Sequence, residues 1–153
     1  MHKVVSQIRD LELIEKELTM NPAGILAVMT DSEKVSQIAT TFIYLDKNIF
    51  VFIDDEEAYE NIQFDTSVSF SIMKYGKLRK TKDMDFDPTY NLFSISISGI
   101  IKKIEDPKQF EELQQNYIAK YKKDVDGKIN LSLLSRAVII DSEEIQAFEE
   151  TGG

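Results

Sequence analysis

The residues of this chain that could do chemistry fall into a basic cluster, an acidic run and several rows of hydroxyls. Lys74, Lys77, Arg79, Lys80 and Lys82 share one polar stretch between Met73 and Asn91. Such a cluster can neutralise a phosphate, although a lysine-rich loop is more often simply solvated. Asp54-Asp55-Glu56-Glu57 is the reverse case: four consecutive carboxylates, suited to capping a helix and ill suited to holding an anion. Thr40 and Thr41 are adjacent hydroxyls, and Ser67, Ser69, Ser71, Ser94, Ser96 and Ser98 recur at every second position. Asp83, Asp85 and Asp87 alternate in the manner of oxygen ligands of a divalent cation, yet no glycine turn or distal glutamate completes a calcium loop. They read as surface acidity.

Cysteine is absent, and His2 is the only histidine. Those counts exclude disulfide frameworks, cysteine nucleophiles, zinc knuckles and Ser-His-Asp triads. The six glycines lie at none of the spacings of a P-loop or a dinucleotide-binding turn. With 18 basic and 27 acidic residues the formal net charge is −9. A chain so acidic repels a phosphodiester backbone, so nucleic acid is not an expected partner. No run approaches the ~18 apolar residues of a membrane span, and the N-terminus lacks the apolar stretch of a signal peptide. No membrane association and a cytoplasmic location are the resulting expectations. The 153 residues fit one domain, 1–153, large enough to bury about 70% of its unfolded surface without a staple.

The elements that must position these residues follow from periodicity. Ile8, Leu11, Ile14 and Leu18 recur at helical spacing, so a helix is expected from about Ser6 to Met20, stopped by Asn21-Pro22. Apolar runs at Gly24 to Met29, Ile38 to Leu45 and Ile49 to Ile53 are separated by turn formers and predict an antiparallel meander. Ser67 to Ile72 and Phe93 to Ser98 alternate strictly, which predicts strands with a wet serine face. Gly99 stands where the alternation slips and points to a bulge or a close backbone approach. Asp106-Pro107 forms a helix start, and Phe110, Leu113, Tyr117, Ile118 and Tyr121 make one apolar stripe up to about Lys123. A turn over Asp124–Lys128, a short last strand at Ala137 to Ile140, and an acidic tail with a frayed Gly152-Gly153 complete the reading. The fold class is mainly β with peripheral helices, and closure into a barrel would remove the sheet edges.

This order of elements resembles the pyridoxamine 5′-phosphate oxidase-like, FMN-binding split-barrel family. The resemblance spans roughly Leu11 to Ile140. Gly24 to Thr30 resembles its first strand, Phe42 to Tyr44 the aromatic end of the second, Asn48 to Ile53 the third, and Ala58 to Ile62 the short helix that follows. Ser67 to Phe70 resembles the fourth strand. The most telling stretch is Ile97-Ser98-Gly99-Ile100-Ile101-Lys102-Lys103-Ile104-Glu105-Asp106-Pro107, leading into Phe110 to Tyr121.

The resemblance implies a six-stranded antiparallel split β-barrel, a homodimer with flavin sites along its seam, FMN as cofactor and a flavin-dependent oxidoreductase activity. Flavin supplies the electron chemistry, so a chain poor in histidine and cysteine is no obstacle. It implies cofactor-binding roles for Thr40, Thr41, Phe52, Ile53, Asp54, Asn61, Lys74 and Lys77. In the family, Arg, Lys, Ser or Thr between the third strand and its helix hold the FMN phosphate. Here that stretch is Asp54 to Asn61, with Ala58 where a lysine commonly opens the helix pattern. A phosphate would have to use Thr40, Thr41 and backbone amides, or the Lys74–Lys82 cluster. The competing expectation is a flavin-free split-barrel protein that binds another ligand or partner, having lost the phosphate clamp; a deazaflavin or haem binder is a third.

Overall fold

The computed structural model describes residues 2–122 and 131–153. Seven antiparallel strands and three helices follow in the order β1 (Lys3–Ile8), α1 (Leu11–Met20), β2 (Ala23–Met29), β3 (Val35–Leu45), β4 (Asn48–Phe52), α2 (Glu56–Glu60), β5 (Ser67–Tyr75), β6 (Tyr90–Lys103), α3 (Pro107–Tyr121) and β7 (Ala137–Gly152). A short 3-10 helix, Leu131–Arg136, leads into β7. Strand pairing runs β7-β4-β3-β2-β5-β6 and returns to β7, because β6 also pairs with β7. β1 is added on the far half of β7, from Lys3 opposite Gly152 to Ile8 opposite Ala147.

Two apolar clusters hold this cycle. The inner one joins Leu26, Phe42, Val51, Phe70, Ile97 and Val138, and Ile14 and Leu18 of α1 close it. The outer one lies where α3 covers the opposite face, with Leu113, Tyr117 and Tyr121 on Ile43, Phe50, Phe52 and Ala137. β4 is therefore covered on both sides, which explains why Ile49, Phe50, Val51 and Phe52 are consecutive apolar residues and not an alternating pattern. The helix start at Asp106 is as expected: its carboxylate accepts from Lys108 N at 3.0 Å, with Pro107 in the first turn.

Several expectations are corrected. Among the described residues the strands number seven, not six. Ser6 to Ile8 belongs to β1; the helix begins after Asp10, whose side chain caps it by accepting from Glu12 N and Leu13 N. A ladder along β7 outweighs the helical spacing of Ile8, since six consecutive residues find backbone partners there. The last strand is not confined to Ala137 to Ile140, and the tail is not frayed: β7 runs to Gly152, between β1 and β6. Met73 and Asn91 end and begin no loop, since β5 extends to Tyr75 and β6 starts at Tyr90. The helix expected over Ala58 to Ile62 spans Glu56–Glu60 instead, because Asp55 caps it. α3 ends at Tyr121 with Lys122 as its cap, and Lys123 and the Asp124–Lys128 turn lie outside the described residues.

At Gly99 both sequence alternatives are realised. The β6–β7 register shifts between Ser98 and Gly99, and a Cβ on Gly99 would stand 2.1 Å from the Asp141 carbonyl oxygen. Among the described residues no helix is long and apolar enough to cross a membrane.

Candidate functional site

The acidic segment folds locally as its residues dictate. Asp55 Oδ1 accepts from Glu57 N at 2.9 Å and from Ala58 N at 3.4 Å, so it caps the short helix α2. The β2–β3 turn is tied to the other end of α2. Asp31 N donates to Asn61 O at 3.0 Å, Thr30 bridges Ile62, and Gln63 N donates to Met29 O at 3.1 Å. Between turn and helix lies a cleft of about 600 Å3, lined by Thr30, Asp31, Ser32, Ser36, Ile38, Asp55, Glu57, Ala58 and Asn61. Three carboxylates, three hydroxyls and one amide face it, and no Lys, Arg or His is among the lining residues.

This donor set does not fit the phosphate of FMN. Two of the first-turn amides that could have bound an anion, those of Glu57 and Ala58, are already taken by Asp55. Each carboxylate at about 6 Å from a phosphate charge would cost ~3 kcal/mol at an effective dielectric near 20, before screening.

The eight residues expected to bind cofactor do not form one site. Asn61 borders the acidic cleft. Thr40 is buried on the inward face of β3, and its hydroxyl has no hydrogen-bond partner among the described residues. Thr41 is half-buried, paired with Ala23 on one side and Phe52 on the other. Phe52 and Ile53 are buried in different clusters, Phe52 with its ring 4.6 Å from that of Tyr117. Asp54 is exposed and contributes a carbonyl oxygen to Arg136. Lys74 pairs with Glu17 at 2.6 Å. Lys74 and Lys77 border a second, smaller cleft of about 210 Å3, with Arg79, Asn91, Phe93 and Glu149.

Sequence reasoning missed Asp31 and Arg136. Asp31 reads only as a turn former. The guanidinium of Arg136 donates to Ile53 O at 2.8 Å and to Asp54 O at 3.0 Å, fixing the strand that leads into α2. A basic residue just before a β run carried no signal of that distant partner.

Two further features border open space. Lys120 lines a groove of about 390 Å3 between the end of α1 and α3, with Met20, Ile43, Tyr44 and Asn116. Its ammonium donates to Phe42 O at 3.0 Å and lies over the Phe42 ring, while burial pushes its pKa down to about 8. Tyr44 donates to Glu15 at 3.1 Å, and burial together with that carboxylate pushes its pKa up to about 12. On the outer surface, β3, β2, β5 and β6 present rows of mostly small residues, each with one larger side chain: Ala39, Ile25, Ser71 and Ser96 are paired in turn across four strands, as are Gln37, Ala27, Ser69 and Ser98. A shallow depression of about 390 Å3 there is bordered by Ala23, Ile25, Ala39, Ser71, Met73 and Ser94. Ile25 and Met73 are exposed on it at 41% and 69%. The alternating serines thus do face outward, as the strict alternation predicted.

The architecture is a mainly β, antiparallel fold found in flavin-associated proteins. Over 95% of this chain and 98% of its own length, a solved FAD-binding protein from Mesorhizobium loti superposes with a TM-score of 0.65 at 20% identity. An FAD-binding protein from Mycobacterium smegmatis matches over 95% of this chain and 98% of its own, with a TM-score of 0.60 at 9% identity. A Corynebacterium glutamicum protein described as a candidate pyridoxamine 5′-phosphate oxidase matches over 100% and 98%, with a TM-score of 0.60 at 16% identity. No family model matches the chain, and no curated protein matches it in sequence. The resemblance to the pyridoxamine 5′-phosphate oxidase-like fold, carried by the order of short sequence patterns, therefore holds at the level of the fold.

Proposed function

We infer that this chain is a split-barrel flavin-binding protein that works as a homodimer, with the isoalloxazine ring seated against the outer face of β2, β3, β5 and β6. The observation that carries this reading is that face itself, within a fold shared with solved FAD-binding proteins. A planar tricycle needs a flat surface without bulky side chains. Ala23, Ala39, Ser71 and Ser94 provide one, with Ile25 and Met73 as apolar contacts and serine hydroxyls as hydrogen-bonding groups. A second copy covering the same face would bury the exposed Ile25 and Met73 and shield the ring from water. Bound flavin would supply oxidation and reduction, and this chain's part is to hold and orient it.

The test is optical. Purified protein is titrated with riboflavin, FMN and FAD, and flavin fluorescence is followed. Quenching that saturates at micromolar protein with any of the three supports the reading; no quenching with any of them at low salt overturns it. The acid-lined cleft at α2 favours one second reading, a flavin-free split-barrel protein that binds another ligand or partner. In that case the dimer forms while all three flavins stay fully fluorescent.

A further inference from the structure

We propose that the cleft between α2 and the β2–β3 turn excludes phosphate, so that a flavin whose side chain runs from the outer face into this cleft is held as riboflavin, which lacks the phosphate ester, in preference to FMN. The preference rests on the flavin reading above; the anion-excluding character of the cleft stands on its own residues. Three observations bear on it. Asp31, Asp55 and Glu57 line the cleft and no basic side chain does. The amides of Glu57 and Ala58, the groups best placed to hold an anion at a helix start, are already bonded to Asp55. The wall cannot easily open, because Asp31 N is bonded to Asn61 O and Thr30 is bridged to Ile62.

A phosphate monoester carries nearly two negative charges at neutral pH. Several carboxylates within one cleft act on it together, and at low ionic strength screening does little over such distances. Of the lining hydroxyls, those of Thr30 and Ser32 bond each other at 3.0 Å and Thr30 donates to Lys34 O at 3.1 Å, while that of Ser36 can pair with a neutral polyhydroxylated chain without an electrostatic penalty. The segment that resembles a phosphate clamp is by its charges the opposite of one.

The experiment has two arms. In the first, the isotopically labelled protein is mixed with a cationic aminomethyl nitroxide or an anionic carboxyl nitroxide, and the broadening of the Asp31, Ala58 and Asn61 amide protons is compared. The expected result is at least about twofold more broadening by the cationic probe. That ratio should fall towards one in a variant carrying Asp31→Asn, Asp55→Asn and Glu57→Gln, which keeps the shape and the helix cap. Equal broadening in the unmodified protein overturns the inference whatever the flavins do. In the second arm, riboflavin and FMN are titrated in low salt. Riboflavin should bind at least about tenfold more tightly, with the gap closing in the triple variant. FMN binding as tightly as riboflavin, or more so, overturns the inference and leaves the flavin reading intact. If neither flavin binds while the cationic probe still dominates, the flavin reading alone fails and the exclusion of anions by the cleft stands.

Discussion

The hydroxyl of Tyr121 binds both backbone groups of Phe42: it accepts from Phe42 N at 3.1 Å and lies 3.0 Å from Phe42 O, while also reaching Pro22 O at 2.7 Å. β2 pairs with β3 only as far as Ala23 opposite Thr41, so the next residue of β3 has lost its strand partner on that side. α3 supplies the substitute from a distant part of the chain. A buried, unpaired amide is costly, and this phenol supplies its acceptor at the point where two strands part; its single proton is shared between the Phe42 and Pro22 carbonyls, and Phe42 O also accepts from Lys120 at 3.0 Å.

Tyr121→Phe therefore tests whether the β2–β3 split depends on α3. The ring packing survives, but the Phe42 N–H loses its acceptor. A loss of about 1–3 kcal/mol in urea unfolding is expected. A loss below about 0.5 kcal/mol would mean that water replaces the phenol there.

Gly99 gives a sterically defined prediction. A Cβ there would sit 2.1 Å from the Asp141 carbonyl oxygen, and that neighbour is backbone, so it cannot swing aside. Gly99→Ala should cost more than about 2 kcal/mol by forcing β6 and β7 apart at their register shift. Measured by thermal or urea unfolding, a near-neutral result would show that the strands reseat without loss.

These two sites differ in how far the sequence exposed them. Gly99 was legible because one glycine interrupts a strict Ile/Ser alternation, a local signal for a local geometry. Asp106-Pro107 was legible for the same reason. The pairing of β1 with the end of β7 was not. Ile8 lies at helical spacing from Leu11, and Glu143, Glu144, Glu149 and Glu150 make the last segment look like a solvated tail. What makes a strand of it is backbone pairing on both edges, with side-chain support from Lys3 on Glu150 and from Asn91 on Glu149. No periodicity announces partners so far apart in sequence. The candidate site shows the same limit. Asp55 and Glu57 were visible as an acidic run, but their union with Asp31 depends on the β2–β3 turn folding back onto α2.

Lys120 makes stability depend on pH in a definite direction. Burial lowers its pKa from 10.5 to about 8, although the Phe42 carbonyl favours its charged form. Between pH 8 and about 10.5 the unfolded chain holds this proton and the folded chain has released it. The unfolded state then binds more protons, so this residue's contribution to stability rises with pH across that window and falls again as pH drops through 8. Tyr44 acts oppositely and later: with its pKa raised from 10.0 to about 12, its contribution is present below pH 10 and lost as pH climbs from 10 to 12. Urea unfolding at pH 7, 8, 9 and 10 should show Lys120→Met gaining on the unmodified protein at pH 7 and losing that advantage by pH 10. A constant difference across the series would show that the amine titrates normally.

The outer face yields the last prediction. Ile25 projects from β2 among Ala39 and Ser71, and Met73 stands nearby on β5, both exposed in the single chain. If two copies meet there, each contact removes apolar area from water at about 25 cal/mol per Å2, and a charge placed in the middle must be desolvated without a partner. Ile25→Asp should then convert a dimer to a monomer in sedimentation at micromolar concentration, with little change in the far-ultraviolet circular dichroism. Met73→Lys, nearer the Lys74 end of β5, should weaken association less because its longer stem can carry the charge to water. A sedimentation coefficient unmoved by Ile25→Asp would place the contact between copies elsewhere. The flavin ring would then have to find its shelter from water within one chain, and the same variant read by fluorescence quenching separates the cases: loss of flavin with the dimer intact marks the face as a ligand surface only, whereas loss of both together joins ring and seam.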